Sequence, residues 1–231
     1  MRGWSVALDW PGTGEAARGP LTGDCDDLTD GILALVDAEG LDASRVALVG
    51  FSLGGVIAVK AAALDRRIDA CIAVTPPFDP GAWLSTANRL VRQQLLSLTG
   101  KSGDVQKLAS EFTLRPVIGR LRAPLLVFGA GRDMIVPPDE ALHLAAAAGE
   151  WATLVWYPRG FHGLYELIDD WTAVAAEWLA ALWGVPVQPA TEQSTQVDAG
   201  TVATDGSPSP AAAEPTRADE TMNTPGDIRA N

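Results

Sequence analysis

The chain has 231 residues, of which 47% are hydrophobic and 20% are charged, with a formal net charge of −12 at pH 7. This length and apolar content suffice for a substantial hydrophobic core and exclude a wholly low-complexity chain. The acidic excess argues against nucleic acid or an anionic membrane as a partner, because phosphate binding needs clustered Lys and Arg. No uninterrupted apolar run approaches the ~20 residues that span a bilayer.

Five short apolar segments predict the strands of a mostly parallel sheet. They are Trp4–Leu8, Val46–Val49, Cys71–Val74, Leu125–Phe128 and Thr153–Trp156. Segments with helical patterns separate them along the chain. This alternation predicts an α/β fold with about five strands and with helices on both faces of the sheet.

Helical periodicity fills the segments between these strands. Residues on one face define the first two predicted helices: Leu28, Ile32, Leu35 and Val36 in one, and Val56, Val59, Lys60 and Ala63 in the other. Segments 139–148 and 164–183 are rich in Ala and Leu and predict two more helices. Residues 78–121 break the alternation, and periodicity from Trp83 to Leu98 predicts a helical insertion over one edge of the sheet.

The composition changes after Trp183, the last aromatic residue. Residues 185–231 consist mainly of Pro, Ala, Thr, Ser, Gln and acidic residues. A segment so poor in bulky side chains cannot offset the entropy of ordering itself. We therefore predict one folded domain at 1–184 and a disordered acidic tail at 185–231.

One pentapeptide, Gly50-Phe51-Ser52-Leu53-Gly54, matches the G-x-S-x-G pattern where a predicted strand turns into a helix. Such a turn strains its middle residue and exposes that side chain at the carboxyl end of the sheet, where open α/β sheets bind ligands. Gly50 and Gly54 are both expected to be required, because a side chain there would collide with neighbouring backbone. Ser52 is the candidate nucleophile. The alternative is an ordinary glycine-rich phosphate turn, but no Lys follows at the Walker position.

A serine hydroxyl needs a base whose orientation a carboxylate fixes. His162, in the loop after the last predicted strand, is the candidate base, whereas His143 lies within a helix as a surface or packing residue. Asp133 follows the fourth predicted strand and is the candidate acid, while Asp139 is better explained as a helix start. The alternatives are a helix-capping role for His162 and a turn-forming role for Asp133.

Neither a metal nor a cofactor is expected, because two histidines and dispersed carboxylates give no ligand spacing. Cys25 and Cys71 are the only cysteines and have no paired-thiol spacing, so we predict small packing residues rather than a disulfide. The amino-terminal residues are too short and too soon charged for a signal peptide. These features together predict a cytoplasmic protein.

The chain order Ser52, Asp133, His162 resembles that of the α/β-hydrolase superfamily, over nearly all of residues 1–184. Segments 9–15, 50–55 and 161–163 resemble the fermentation–respiration switch esterase-like group. That group includes the dihydroxypseudooxynicotine hydrolases, which cleave carbon–carbon bonds, and grades into prolyl-oligopeptidase-like enzymes. The resemblance implies Ser52 as nucleophile, His162 as base and Asp133 as orienting acid, with the backbone N–H of Leu53 as one oxyanion donor.

In one respect the chain departs from that family. Its members have several strands, and often a helical cap, before the strand at which this chain begins, and a loop there supplies the second oxyanion N–H. Met1 falls immediately before Trp4–Leu8, and the absent strand would lie between this segment and Val46–Val49. We therefore expect the carboxyl-terminal part of a longer enzyme, with amino-terminal strands missing and activity impaired.

The resemblance implies a serine hydrolase that cleaves an ester-like or activated carbonyl-adjacent bond of a small apolar substrate through an acyl-enzyme. Large side chains of the insertion would suit an apolar acyl or aromatic group, or would simply pack: Trp83, Leu84, Leu90, Val91, Leu95 and Phe112. The alternatives are an impaired or inactive remnant that acts as an interaction module, and a prolyl-oligopeptidase-like peptidase. The expected partners are a small-molecule substrate and, through an exposed sheet edge, a second copy of the chain.

Overall fold

Four parallel strands form the central sheet. A computed structural model describes residues 5–10, 23–26, 28–40, 44–98 and 109–186. In this part of the chain the strands are β1 (Ala47–Phe51), β2 (Ala70–Val74), β3 (Leu125–Ala130) and β4 (Ala152–Tyr157). They lie side by side in chain order, and each neighbouring pair is parallel. The middle strands β2 and β3 are buried at every position, which explains why their sequences are continuously apolar.

The strand predicted at Trp4–Leu8 is not formed over residues 5–8, and Trp4 lies outside the described residues. The sheet therefore has four strands in the described ranges rather than about five. An apolar segment becomes a strand only where a neighbouring strand completes its backbone hydrogen bonds, and residues 5–8 pair with no described strand. Val6 and Leu8 are accordingly about half exposed, at 50% and 51%.

Helices cover both faces of the sheet, as predicted. Their bounds are α1 (Leu28–Ala38), α2 (Leu53–Leu64), α3 (Pro80–Trp83), α4 (Arg89–Leu98), α5 (Asp139–Ala148) and α6 (Ile168–Trp183). Buried side chains of α2 and α5 pack with Cys71 and Ala73 on one face of β2, while α6 packs with Ile72 and Val74 on the other. Alternation of side chains along β2 thus supplies both cores.

In its described residues the insertion at 78–121 contains helices, and a break divides the periodic segment from Trp83 to Leu98. The helix α3 ends at Trp83 and α4 begins at Arg89. Asn88 separates them because its side-chain Oδ1 accepts a hydrogen bond from the backbone N–H of Val91, at 2.9 Å, and so caps the start of α4. Capping at this position favours a new helix over continuation of the old one.

A buried carboxylate fixes the start of the insertion against α5. Glu140, with 4% of its surface exposed, accepts hydrogen bonds from the backbone N–H groups of Phe78 and Asp79 at 2.8 and 2.7 Å. Asp79 in turn pairs with Arg115, whose guanidinium lies over the Phe78 ring. The corner that leads from β2 into the insertion is therefore held by ionic as well as apolar contacts.

The predicted tail at 185–231 lies outside the described residues from position 187 onward. Among the helices of the described residues, none combines the length and apolar content that crossing a membrane requires.

Candidate active site

Ser52 lies at the abrupt turn between β1 and α2. Its backbone has φ 51° and ψ −120°, a conformation that few residues with a side chain adopt. The N–H of Ser52 donates to the carbonyl of Val74 on β2, at 2.9 Å, so the turn is tied to the neighbouring strand. Strained backbone of this kind costs about 1–3 kcal/mol and persists only where surrounding structure determines it.

The glycines around Ser52 do not share one role. A Cβ atom at Gly50 would lie 2.2 Å from the carbonyl oxygen of Gly54, so the expected collision is present there. At Gly54 the expectation is wrong, because a Cβ would meet no atom within 4 Å outside its own helix and this residue is exposed. Gly55 takes that role instead, since its Cβ would lie 3.1 Å from Pro76 and 3.2 Å from the Gly50 carbonyl. The tight crossing thus involves positions 50 and 55.

Asp133 and His162 are in direct contact. The Nδ1 atom of His162 lies 2.7 Å from Oδ2 of Asp133, and the two side chains are 16% and 3% exposed. The other oxygen, Oδ1, accepts hydrogen bonds from the backbone N–H groups of Ile135 and Val136 at 2.8 and 2.9 Å. Asp133 therefore both forms its own turn and contacts the imidazole, so the two interpretations of this residue are compatible.

Backbone hydrogen bonds join the loops that carry these two side chains. The N–H groups of Gly131 and Arg132 donate to the carbonyls of Tyr157 and Gly160, each at 2.9 Å. A Cβ at Gly131 would lie 2.5 Å from the carbonyl oxygen of Pro158, so the loops approach as closely as glycine allows. This contact fixes the loop after β3 against the loop after β4.

Thr75, which the sequence analysis did not single out, connects β2 to the loop that follows β4 and carries His162 (the histidine loop). It is buried, directly follows Val74, and its Oγ1 accepts a hydrogen bond from the N–H of Gly163 at 3.0 Å. Its φ of 47° is also positive, so a second strained residue follows the second strand. No local pattern marks Thr75, since a threonine after a buried strand is common and its partner lies 88 positions away.

A ring contact also brings the serine turn and the histidine loop together. Phe51, immediately before Ser52, stacks on Tyr165 with ring centroids 6.0 Å apart and an interplanar angle of 4°. No hydrogen bond joins the Ser52 hydroxyl to His162 within the described residues. Such contacts are often long without substrate and tighten when it binds.

Leu53 is the first residue of α2, so its backbone N–H has no acceptor within that helix. The first turn of α2 carries no acidic residue, and the helix dipole therefore gives this end a partial positive charge.

His143 lies at the surface, and the two cysteines are buried. His143 is 56% exposed and lies 3.8 Å from a Glu140 oxygen. Burial raises the pKa of the Cys25 thiol to about 11 and raises that of Cys71 as well, so both remain protonated near neutral pH. In the described part of the chain, no three His, Cys, Asp or Glu residues are grouped closely enough to hold a metal ion.

Some large side chains of the insertion pack in the core, and others are exposed or line an open cavity. Leu84, Val91 and Phe112 are buried, at 1%, 6% and 1% exposure, and serve the core. Leu90 is 65% exposed, and the side chain of Leu95 lies outside the described residues. Trp83 lines a cavity beside the Asp133 loop.

Comparison with known proteins gives a family and a fold. Residues 15–185 match the prolyl oligopeptidase family. A curated relative, the dihydrolipoyllysine-residue acetyltransferase component of the acetoin cleaving system of Pseudomonas putida, is 29% identical over 175 residues, which cover 59% of this chain and 46% of the relative. The chain thus spans about half the length of this relative.

Solved structures share the fold at low identity. The structure of 2,6-dihydroxy-pseudo-oxynicotine hydrolase has a TM-score of 0.67 and 23% identity, over 79% of this chain and 54% of that one. A puromycin-hydrolyzing peptidase of Mycobacterium tuberculosis has a TM-score of 0.58 and 20% identity, over 71% and 26%. The Pyrococcus furiosus esterase has a TM-score of 0.52 and 18% identity, over 70% and 63%. These likenesses show an α/β-hydrolase fold.

The two outer glycines of the pentapeptide give a matched pair of variants. We expect Gly50→Ala to lower the free energy of unfolding by about 3 kcal/mol or more, because its Cβ meets backbone that cannot move aside. Gly54→Ala should leave it unchanged or raise it by up to about 1 kcal/mol, because alanine favours the helix. Urea unfolding followed by circular dichroism measures both; equal losses would contradict the assignment.

Substitution of Thr75 tests the hydrogen bond that connects β2 to the histidine loop. Thr75→Val keeps the shape but leaves the N–H of Gly163 buried without an acceptor, at an expected cost of about 1–3 kcal/mol. Thr75→Ser keeps the hydroxyl and should cost less than about 1 kcal/mol. Hydrogen exchange at the Gly163 amide should accelerate in the valine variant alone, and equal exchange in both variants would show that this bond does not hold the loop.

Proposed function

The chain belongs to the prolyl oligopeptidase family, and from that membership we propose that it is a serine hydrolase acting through an acyl-enzyme. The observation that carries the proposal is the 2.7 Å contact between the His162 imidazole and the buried Asp133 carboxylate, on loops tied to the strand-to-helix turn at Ser52. These are the parts of a nucleophile, base and orienting acid. The substrates proposed are small molecules with an ester-like or activated carbonyl-adjacent bond.

In the proposed mechanism Oγ of Ser52 attacks a carbonyl carbon, and Nε2 of His162 takes the hydroxyl proton. Asp133 accepts the Nδ1–H hydrogen bond, which holds the imidazole in the tautomer whose Nε2 is free to act as a base. His162 then protonates the leaving group, and a water molecule activated by the same imidazole hydrolyses the acyl-enzyme.

The tetrahedral intermediate carries a negative oxygen, for which we propose the Leu53 N–H as one donor. The amino-terminal end of α2 adds its dipole, which its acid-free first turn leaves uncompensated. Loss of one oxyanion donor costs about 10²–10³ in rate. The number of donors around the intermediate therefore sets how fast this site turns over.

A second candidate function, peptide hydrolysis, is favoured by the family match. One similar structure is described as a puromycin-hydrolyzing peptidase and another as an acylaminoacyl peptidase. Esters and amides pass through the same tetrahedral chemistry, so the two functions differ in the leaving group and in the contacts that hold the substrate.

The expected cytoplasmic location and self-association through the sheet edge stay predictions. Among the described residues β1 has a partner strand on one side only, and its Val49 is 51% exposed.

Labelling with a fluorophosphonate probe tests the nucleophile. We expect the full chain to be labelled at Ser52, because a serine activated by His162 attacks phosphorus as it would a carbonyl. Ser52→Ala should abolish labelling, whereas Ser85→Ala, which removes an exposed hydroxyl of the insertion, should leave it intact. Well-folded protein that takes up no probe would favour the inactive remnant over the enzyme.

Paired substrates separate the two candidate functions. For the hydrolase proposed first, kcat/KM for small 4-nitrophenyl esters should exceed that for aminoacyl or Xaa-Pro 4-nitroanilides by at least about 10²-fold. The reason is that an amide carbonyl is less electrophilic than an ester carbonyl, so its cleavage requires additional contacts that hold a peptide. Release of nitrophenolate or nitroaniline gives both values. A reversed preference that disappears in Ser52→Ala would assign a peptidase instead.

A further inference from the structure

The side chain of Tyr165 contacts both the turn that carries Ser52 and the histidine loop. Its ring lies nearly parallel to that of Phe51, at 4° with centroids 6.0 Å apart, and Phe51 directly precedes Ser52. The same ring lies against Gly163, where a Cβ atom would be 2.3 Å from its Cε2. Because Gly163 directly follows His162, Tyr165 contacts a chain neighbour of the candidate nucleophile and a chain neighbour of the candidate base.

The backbone of the histidine loop places the Tyr165 ring at the end of β1. Gly163 and Leu164 have φ values of 79° and 50°, so two successive residues adopt the left-handed conformation. Leucine rarely adopts it, and surrounding structure must hold a residue there. Leu164 is fully buried in the cluster that includes Trp171 of α6, and this burial anchors it. The next residue, Tyr165, then lies outside the core, with 66% of its surface exposed.

Neither burial nor a polar contact of the side chain accounts for Tyr165. A ring that is 66% exposed removes little apolar surface from water. Its hydroxyl makes no hydrogen bond within the described ranges of the chain. The contacts of the ring therefore bear on the relative position of the two loops more than on the stability of the fold.

The hydrogen bonds of the histidine loop connect it to other strands. His162 contacts Asp133 after β3, and the N–H of Gly163 donates to Thr75 after β2. Where both partners are described, no hydrogen bond or ion pair joins residues 158–167 to β1 or to Ser52. The ring contact of Tyr165 thus supplies a connection to β1 that the polar contacts do not.

We propose that Tyr165 is a positioning residue, which holds the His162 imidazole at the distance from Ser52 that proton transfer requires. It acts through its ring contacts with Phe51 and Gly163 and not on the substrate. The inference rests on the proposed hydrolase function, because it assigns a task within that site. Proton transfer requires the two side chains to be within hydrogen-bond reach, and a displacement of about 1 Å can cost about 10² in rate.

Labelling by diisopropyl fluorophosphate, which forms an O–P bond to Oγ and releases fluoride, measures the reactivity of Ser52. We expect Tyr165→Ala to lower the second-order rate constant at least about 10-fold, because the imidazole is then no longer held beside the hydroxyl. Tyr165→Phe keeps the ring and loses only the hydroxyl, so its rate constant should stay within about twofold of wild type. Failure of phenylalanine to preserve the rate would overturn the proposal.

Phe161→Ala is the matched control for the alanine variant. It removes another aromatic ring from the same loop, one that is 48% exposed and makes no ring contact among the described residues. Its labelling rate should stay within about threefold of wild type, since surface substitutions away from specific contacts have small effects. Equal losses in Phe161→Ala and Tyr165→Ala would overturn the assignment to Tyr165.

An NMR measurement detects the positioning without any turnover. The chain has two histidines, so His143→Gln leaves His162 as the one imidazole. In that background, Ser52→Ala changes the Cε1–H chemical shift of His162 to an extent that reports how near the hydroxyl lies. We expect Tyr165→Ala to reduce this change by at least about half, as in a double-mutant cycle, and Tyr165→Phe to preserve it. The same change in both backgrounds would overturn the proposal.

The two sets of data separate this inference from the hydrolase function. A wild-type chain that is not labelled would contradict the hydrolase, and the NMR comparison would still decide the role of Tyr165. Equal labelling of the wild type and Tyr165→Ala would leave the hydrolase in place and overturn the inference. Urea unfolding should give Tyr165→Ala a midpoint close to that of the wild type, because the ring is largely exposed. A large fall in that midpoint would assign Tyr165 to stability instead.

Discussion

The backbone crossing at the start of α2 is the constraint on which the rest of the candidate site depends. Where β1 ends, the chain turns back so sharply that position 50 lies against the carbonyl of Gly54 and position 55 against Pro76 of the neighbouring connection. A Cβ atom would overlap the backbone at position 50 and would press on its neighbours at position 55. The turn therefore forces Ser52 into a positive φ, and the serine leaves the sheet at its carboxyl edge.

A parallel sheet collects its loops at that same edge, and here the loops are tied to one another as well as to the strands. The loop after β3 donates backbone hydrogen bonds to the end of β4 and to the loop that follows it, and that second loop is held by Thr75 at the end of β2. The pairing of His162 with Asp133 thus results from several contacts between main chains rather than from one ion pair. The same edge of the sheet receives the insertion, whose first residues are held by the buried Glu140.

Sequence patterns correctly predicted the helices and strands whose formation depends on residues within the same segment. The helix at 139–148 and the strand at 125–128 are correctly predicted because the Ala- and Leu-rich composition of the helix and the apolar continuity of the strand lie within the segments themselves. The strand predicted at 4–8 is not formed over residues 5–8, because a strand needs a neighbouring strand that the segment itself does not encode. Asn88 is a capping residue within the periodic segment from Trp83 to Leu98, and it marks the start of α4. The shift of the second steric requirement from Gly54 to Gly55 depends on Pro76, a residue 21 positions further on, which no pentapeptide pattern contains.

The carboxylate of Asp133 has one further consequence. Its two oxygens are held at a fixed separation by a planar group, and one bonds to the amides of Ile135 and Val136 while the other meets His162. Because the two oxygens belong to one rigid group, the positions of the Ile135 and Val136 amides also fix the direction in which Oδ2 faces the imidazole. A substitution that shifts those amides would therefore reorient His162 without touching it.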